Sequence, residues 1–203
     1  MRNMFLAAAT LAGLAALPSA LTTPAWADQV PGIHGIDHVA MTVPDLDQAI
    51  AFFDDVLGCS KPSYAVGPFK FDNDWMQVHL NVDPRAEISK LAMLRCFTGA
   101  NVELFEYKAE GQVKTEPRNS DIGGHHIAFY VDDEAAAAAY LKSKGVKMLG
   151  EPTPFDQGPL AGETIDYFLT PWGAQMEILS YPKGLGYEAA APVKLWSTKD
   201  PSK

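Results

Sequence analysis

The chain has 203 residues, 47% of them hydrophobic, and a formal net charge of −9 at pH 7. This length is enough for one domain of ordinary size or for two small modules that share a core. The acidic balance argues against binding to nucleic acid or to anionic lipid, since both are bound chiefly through cationic surfaces.

The first 27 residues predict an export signal. Arg2 supplies the positive end, an apolar run follows from Phe5 to Leu17, and Ala25-Trp26-Ala27 offers a small-x-small cleavage site. The run is short for a membrane span, although the apolar residues after it extend it toward the roughly 20 residues that a span needs, so a membrane anchor stays open. Cleavage after residue 27 predicts a periplasmic or secreted protein that has no membrane contact.

The two cysteines permit two interpretations. Export leads to an oxidising compartment, in which Cys59 and Cys96 could form a disulfide. Unpaired cysteine also packs well as a small hydrophobic residue. Because Cys59 follows a predicted helix and Cys96 lies in a later predicted strand, we expect two buried, unpaired thiols.

Residues 36–107 predict a first module with the element order βαβββ. Asp45 is a suitable N-cap for its helix, with Gln48 three residues later to complete a capping box, and Gly58 ends the helix. The strands of this module are predicted at 36–43, 60–66, 91–98 and 101–107. An insertion at 67–90 carries aromatic and charged residues, and we expect it to be a loop that covers substrate.

Residues 122–181 repeat this order as a second module. At one constant offset His38 corresponds to His126 and Asp45 to Asp133, and an alanine-rich helix follows that Gly145 closes. The strands of this module are predicted at 126–131, 147–150, 164–170 and 175–181. Residues 108–121 join the modules, and residues 182–203 form a C-terminal extension. Two such modules predict an α+β fold whose curved sheets form a cup.

Each module carries a histidine at the start of its first strand and a glutamate within a later apolar strand. These residues are His38 and Glu103 in the first module, and His126 and Glu177 in the second. Taken singly, such a histidine is more often a hydrogen-bonded core residue, and such a glutamate a solvated one. The repetition instead favours a pseudo-twofold axis that brings all four to one point. Two imidazoles and two carboxylates suit a divalent ion that keeps positions open for water or substrate.

Two segments are the most distinctive, HVAMTVPDLDQAIAFFDDVLG at 38–58 and GHHIAFYVDD at 124–133. Together with 102–107 and 170–182 they make the chain resemble the vicinal oxygen chelate superfamily of glyoxalases, bleomycin-resistance proteins and extradiol dioxygenases. The resemblance implies two βαβββ modules around one divalent metal ion, which is Zn, Ni, Mn, Co or Fe, with ligands at the four residues above. It also implies a small-molecule substrate and a possible homodimer, because the family often pairs modules between chains.

The activity that the resemblance favours is that of a metal-dependent lyase or isomerase, similar to glyoxalase I or methylmalonyl-CoA epimerase. In this activity Glu177, together with Glu103, removes a proton next to a carbonyl group, and the metal stabilises the resulting enediolate. Thr42 and Tyr107 stand where bacterial-type glyoxalases carry an arginine and an asparagine that grip glutathione. A glutathione thioester is therefore disfavoured as the substrate.

Two other activities stay open at this point. A ring-cleaving dioxygenase would use His38, His126 and Glu177 as a facial triad, which leaves Glu103 surplus. A non-catalytic binding protein of the bleomycin-resistance type would hold a small molecule in the same cup, but such proteins usually lack the metal residues. Retention of all four residues favours the lyase or isomerase.

Overall fold

The computed structural model describes residues 30–202, so the predicted export signal at 1–27 lies outside the described residues. In this part of the chain the strands form two sheets, and helices lie beside them. None of the helices between residues 30 and 202 has both the length and the apolar character needed to cross a bilayer.

The elements of the first module are β1 (His38–Thr42), α1 (Leu46–Ala51), β2 (Tyr64–Val66), α2 (Trp75–Leu80), β3 (Glu87–Leu94) and β4 (Asn101–Lys108). The four strands form the first sheet in the order β1-β4-β3-β2. Strand β1 is parallel to β4, and the other neighbours are antiparallel. Helix α1 continues directly as a π-helical segment at Phe52–Val56.

The elements of the second module are β5 (Ile127–Tyr130), α3 (Glu134–Ser143), β6 (Lys147–Met148), β7 (Thr153–Pro154), β8 (Thr164–Leu169) and β9 (Gln175–Ser180). The second sheet repeats the arrangement of the first with the order β5-β9-β8-β6 and a short extra strand, β7, beside β8. Strand β5 is parallel to β9, as β1 is to β4. The predicted α+β class with two sheets is therefore confirmed.

Both helices that follow the first strand of a module begin at a capping aspartate. The Asp45 carboxylate accepts a hydrogen bond of 2.9 Å from the Gln48 backbone N–H, and the Asp133 carboxylate accepts one of 3.0 Å from the Ala136 N–H. These bonds satisfy backbone donors that the first helical turn leaves free. The predicted N-caps are thus confirmed.

Three predicted boundaries in the first module are wrong. The strand expected at 60–66 forms only at Tyr64–Val66, and the strand expected at 91–98 lies at Glu87–Leu94. The chain leaves β3 before Phe97, whose φ of 55° a strand cannot adopt. The insertion at 67–90 is not a simple loop, because it contains α2 and the start of β3.

The expectation of unpaired thiols is also wrong, since Cys59 and Cys96 form a disulfide with their Cα atoms 4.3 Å apart. The Ser60 N–H donates a 2.8 Å hydrogen bond to the Arg95 carbonyl, which holds the two segments side by side. Periodicity predicts each element separately and gives no information about this approach of distant segments.

The two modules share one hydrophobic core. Strand β4 contributes Val102 and Leu104, and β9 contributes Met176 and Ile178. Near the end of α1, the Phe52 ring lies 5.7 Å from the ring of Trp172, in the turn between β8 and β9. Because side chains alternate along a strand, the glutamates between these core residues lie on the opposite faces of the sheets. We refer to the faces that carry Glu103 and Glu177 as the outer faces.

A smaller core covers part of the outer face of the first sheet. Met76 of α2 is fully buried there with Ile88, and Phe105 and Tyr107 of β4 pack against them. The insertion therefore lies on the same face as Glu103, where it forms a wall beside that residue.

Replacement of both Cys59 and Cys96 by serine should lower the free energy of unfolding by about 2–4 kcal/mol. The reason is that the disulfide closes a loop across a separation of 37 residues in the unfolded chain. Urea unfolding with and without dithiothreitol measures the effect. Dithiothreitol should lower the urea midpoint of the wild type and leave that of the serine variant unchanged. An equal midpoint for both proteins, with and without dithiothreitol, would contradict the prediction.

Candidate active site

Strands β1 and β4 bring together the first predicted pair, His38 and Glu103. Their parallel register places Ala40 opposite Glu103, and His38 lies two residues before Ala40 on the same face. The Nε2 atom of His38 lies 3.3 Å from Glu103 Oε2, and its Nδ1–H donates to the Asp37 carboxylate at 2.7 Å. The bond to Asp37 raises the pKa of His38, partial desolvation opposes the rise, and the charge of Glu103 adds to it.

Strands β5 and β9 form the second pair, His126 and Glu177, in the same way. Ala128 is opposite Glu177, and His126 lies two residues before Ala128. The Nε2 atom of His126 lies 3.0 Å from Glu177 Oε2, and its Nδ1–H donates to the Asn119 side-chain oxygen at 3.1 Å. The repeated sequence has therefore produced the same local geometry twice.

Tyr167 completes the second pair. It lies opposite Glu177 in the register of β8 and β9, and its ring meets the His126 ring edge to face at 5.2 Å. Burial raises the pKa of Glu177, whereas the charge of His126 and hydrogen bonds from His126 and Tyr167 lower it. Burial is the largest of these effects, so the carboxyl group of Glu177 holds its proton more tightly than an exposed glutamate does.

The four predicted residues form two pairs rather than one cluster. Between residues 30 and 202 no group of three or more His, Cys, Asp or Glu side chains is placed to hold a metal ion. The shared core explains this separation, because it uses the inner faces of both sheets and leaves the two pairs on the outer faces. Within the described sheets β1 pairs only with β4, and β5 pairs only with β9. His38 begins β1 and His126 directly precedes β5, so each histidine lies at an edge strand that has no partner on its outer side among the described strands.

The donor chemistry of each pair fits half of a divalent metal site. If a metal ion took the place of the proton on Nε2 while Nδ1–H stayed donated to an oxygen, the neutral imidazole would present the lone pair of Nε2, which is the usual ligand atom in such an arrangement. In both pairs this Nε2 faces a carboxylate oxygen on the same side of the sheet. Two such pairs would supply two nitrogen and two oxygen donors, which suits a borderline divalent ion.

The surroundings of the two pairs differ. Beside Glu103, the rings of Phe105 and Tyr107 are stacked at 5.4 Å, and burial together with the charge of Glu103 raises the pKa of Tyr107. Beside Glu177 the neighbours are more polar, and burial together with the charge of Glu177 raises the pKa of Glu163. The first pair thus has an aromatic wall beside it, formed by the rings of Phe105 and Tyr107, and the second pair has further hydrogen-bonding groups beside it.

An apolar cavity of about 500 Å³ lies beside β1 and β5. Val39, Phe129, Tyr140 and Trp196 are among its lining residues. The two histidines and two glutamates are not among its lining residues. This cavity is therefore separate from the candidate active site.

Asp37, Asn119 and Tyr167 contact the predicted residues but are not among the sequence predictions. Asp37 directly precedes His38, and this adjacency was a usable signal. Tyr167 follows from strand alternation only once the register of β8 and β9 is known. Asn119 lies in the joint at 108–121, where the sequence offers no periodic pattern.

Comparison with known proteins identifies the family of this chain. The model of the Glyoxalase/Bleomycin resistance protein/Dioxygenase superfamily matches residues 37–162. A protein named 2-epi-5-epi-valiolone epimerase from an Actinomyces species is 45% identical over 168 residues, which are 82% of this chain and 90% of that protein.

Solved structures show the same fold at lower identity. A glyoxalase family protein from Bacillus cereus has a TM-score of 0.55 and 19% identity, with 77% of this chain and 98% of that chain covered. A glyoxylase/bleomycin resistance protein/dioxygenase domain from Frankia sp. EAN1pec has a TM-score of 0.50 and 16% identity, covering 73% and 98%. The family model and the epimerase show that the chain belongs to the glyoxalase, bleomycin resistance protein and dioxygenase superfamily.

Proposed function

We propose that the protein is an epimerase that inverts a carbon next to the carbonyl group of a hydroxylated cyclic ketone. The observation that carries this proposal is the 45% identity, over 82% of the chain, with a protein named 2-epi-5-epi-valiolone epimerase. Of the lyase and isomerase activities that the sequence favours, this similarity supports the isomerase.

The two glutamates fit the chemistry of such an inversion. A carbonyl group acidifies the neighbouring C–H bond, so a carboxylate can remove that proton as a general base. Inversion then requires a proton to return to the opposite face of the same carbon. We assign these two steps to Glu103 and Glu177, because each carries a carboxylate on an outer face next to a histidine.

The proposal includes one divalent metal ion held by His38, Glu103, His126 and Glu177. A bound ion would supply positive charge near the carbonyl oxygen, where negative charge develops as the proton leaves. The role of the chain's own residues is to orient the donors: Asp37 and Asn119 fix the two imidazole rings, and Tyr167 fixes the Glu177 carboxylate.

We further propose that two copies of the chain complete the site. The pairs lie apart within one chain, and β1 and β5 each leave an edge unpaired among the described strands. The side chains of His38 and His126 are also 40% and 31% exposed, more than buried ligands would be. In a twofold dimer the first module of one copy can face the second module of the other, which gives two equivalent sites.

Export to the periplasm or the medium, directed by residues 1–27, is part of the proposal. The disulfide between Cys59 and Cys96 supports it, because structural disulfides persist in oxidising compartments and are rare in the cytosol.

Purified protein incubated with 2-epi-5-epi-valiolone in D2O should invert one carbon and incorporate one deuterium there. One C–H bond breaks to a carboxylate, and one C–D bond forms from a solvent deuteron on the other face. Glu103→Gln and Glu177→Gln should each lower kcat by about 100-fold or more, since each removes one proton-transfer group. Glu110→Gln, at an exposed position, is the control. Binding without any deuterium incorporation by the metal-loaded wild type would exclude the epimerase.

Mixed variants test the site between two copies. His38→Ala and His126→Ala should each be inactive, but after the two chains are unfolded and refolded together, roughly a quarter of wild-type activity should return. Half of the dimers are then mixed, and each mixed dimer has one intact site out of two. His38→Ala with Glu103→Gln is the matched control, because both changes lie in one module and no intact site can form. Lack of recovery in the first mixture, with mixed dimers verified by two affinity tags, would place the site within one chain.

Asp37→Ala should weaken metal binding about 10- to 100-fold, because the substitution removes the acceptor that orients the His38 ring. Competition with a coloured chelator measures the affinity for Zn²⁺. Asp72→Asn, an exposed change on the insertion, should leave the affinity unchanged. Equal affinities for the wild type and the Asp37 variant would remove Asp37 from the proposed site.

A further inference from the structure

Two acidic residues outside the candidate active site are buried between α3 and the second sheet. Glu134, in the first turn of α3, is 4% exposed, and Asp166, on β8, is 3% exposed. Both carboxylate oxygens of Glu134 and the Oδ2 atom of Asp166 are buried and have no hydrogen-bond partner among residues 30–202. Buried carboxylates are almost always paired, since an unpaired charge in a dry interior is strongly unfavourable.

The first module shows that the fold does not require an acid at the position of Glu134. In each module this position directly follows the capping aspartate, Asp45 or Asp133. The first module has Leu46 there, which is 1% exposed and belongs to the shared core. The buried side of α3, formed by Glu134, Ala138 and Leu141, therefore begins with an acid where α1 begins with leucine.

The same comparison applies to Asp166. Asp166 lies opposite Ile178 in the second sheet, and Ala92 lies opposite Leu104 in the first. Leu104 and Ile178 each directly follow a site glutamate, so Ala92 and Asp166 occupy equivalent positions. Ala92 is fully buried in the shared core. Two equivalent core positions are thus both apolar in one module and both acidic in the other.

The neighbouring charges do not neutralise these acids. Lys142 of α3 forms its ion pair with Glu151 at 2.8 Å. Burial raises the pKa of Glu134 to about 7, the charges of Asp166 and Asp133 add to the rise, and Lys142 opposes it. Burial also raises the pKa of Asp166 and Glu151 adds to this, whereas the Tyr167 backbone N–H and Lys142 oppose it.

We propose that Glu134 and Asp166 form a proton-dependent lock that holds the start of α3 against β8. With a proton on Glu134 the buried contact carries at most one negative charge, and the helix stays packed on the sheet. Loss of that proton leaves two charges that repel each other, so the first turn of α3 separates from β8. Three residues join β5 to that turn, and His126 directly precedes β5, so separation of the turn would loosen the segment that carries His126, a consequence that rests on the proposed function.

The direction of the pH dependence follows from the raised pKa. Below about pH 4.5 Glu134 is protonated in both the folded and the unfolded chain, and the lock is fully stabilising. As the pH rises from about 4.5 to about 7, the folded chain keeps a proton that the unfolded chain has lost, so folding becomes weaker. The total change in the folding equilibrium is on the order of 100-fold.

Urea unfolding at pH 5 and pH 8.5, at one fixed protein concentration with the disulfide intact, tests the lock. The double variant Glu134→Leu, Asp166→Ala carries the residues of the first module at both positions. Between the two pH values the wild-type folding constant should fall on the order of 100-fold more than that of the double variant. Asp156→Asn, an exposed change, should behave like the wild type.

A second double variant tests the lock even if the first one fails to fold. Glu134→Gln, Asp166→Asn keeps the shape of both side chains without their charges, and it should also lack the extra pH dependence. After correction for the intrinsic exchange rate, backbone amide exchange in the first turn of α3 should be faster at pH 8.5 than at pH 5 in the wild type. The two double variants should not show this increase. The same pH dependence in the wild type and both double variants would overturn the lock. Restoration of wild-type stability at pH 8.5 by Ca²⁺ alone would also overturn it, because the pair would then bind a cation.

These measurements do not depend on activity. If the protein proves not to be an epimerase, the stability and exchange results still decide whether the lock exists. If the lock is absent, deuterium incorporation into the ketone still tests the epimerase.

Discussion

The alternation of side chains along β4 and β9 is the constraint on which the rest of the structure depends. Each strand places apolar residues on its inner face, where the two modules share a core, and one glutamate between them on the outer face. Burial of Leu104 and Ile178 therefore turns Glu103 and Glu177 away from the core. The packing that stabilises the chain also places both site glutamates on the faces opposite the shared core.

The sequence could predict whatever one module determines alone. The capping aspartates, the first strand and helix of each module, and the shared face of Glu103 and Glu177 in their own strands follow from local pattern, and repetition strengthens them. How the modules dock does not follow, because the same apolar residues would fill a core in either arrangement. The metal site of all four residues therefore stays a prediction, and the disulfide was missed because it joins segments that no periodic pattern relates.

The two modules share a backbone plan but have diverged in chemistry. The His38 ring is held by the carboxylate of Asp37, whereas the His126 ring is held by the neutral amide of Asn119. The first module has an aromatic wall formed with its insertion, and the second has polar groups around Glu177. The repeated sequence thus accounts for the paired geometry, and the residues that differ between the modules account for the different surroundings of each half.

This divergence suits the proposed epimerase. Its two substrates differ in configuration at one carbon, so removal and return of the proton take place on opposite faces of that carbon. Two carboxylates related by a pseudo-twofold axis would reach both faces, which a single carboxylate on one sheet cannot do. Because Glu177 is buried beside Tyr167 and Glu103 lies beside an aromatic wall, the two faces meet different environments. In the proposed site, the two epimers would therefore meet different surroundings while the same kind of base serves both.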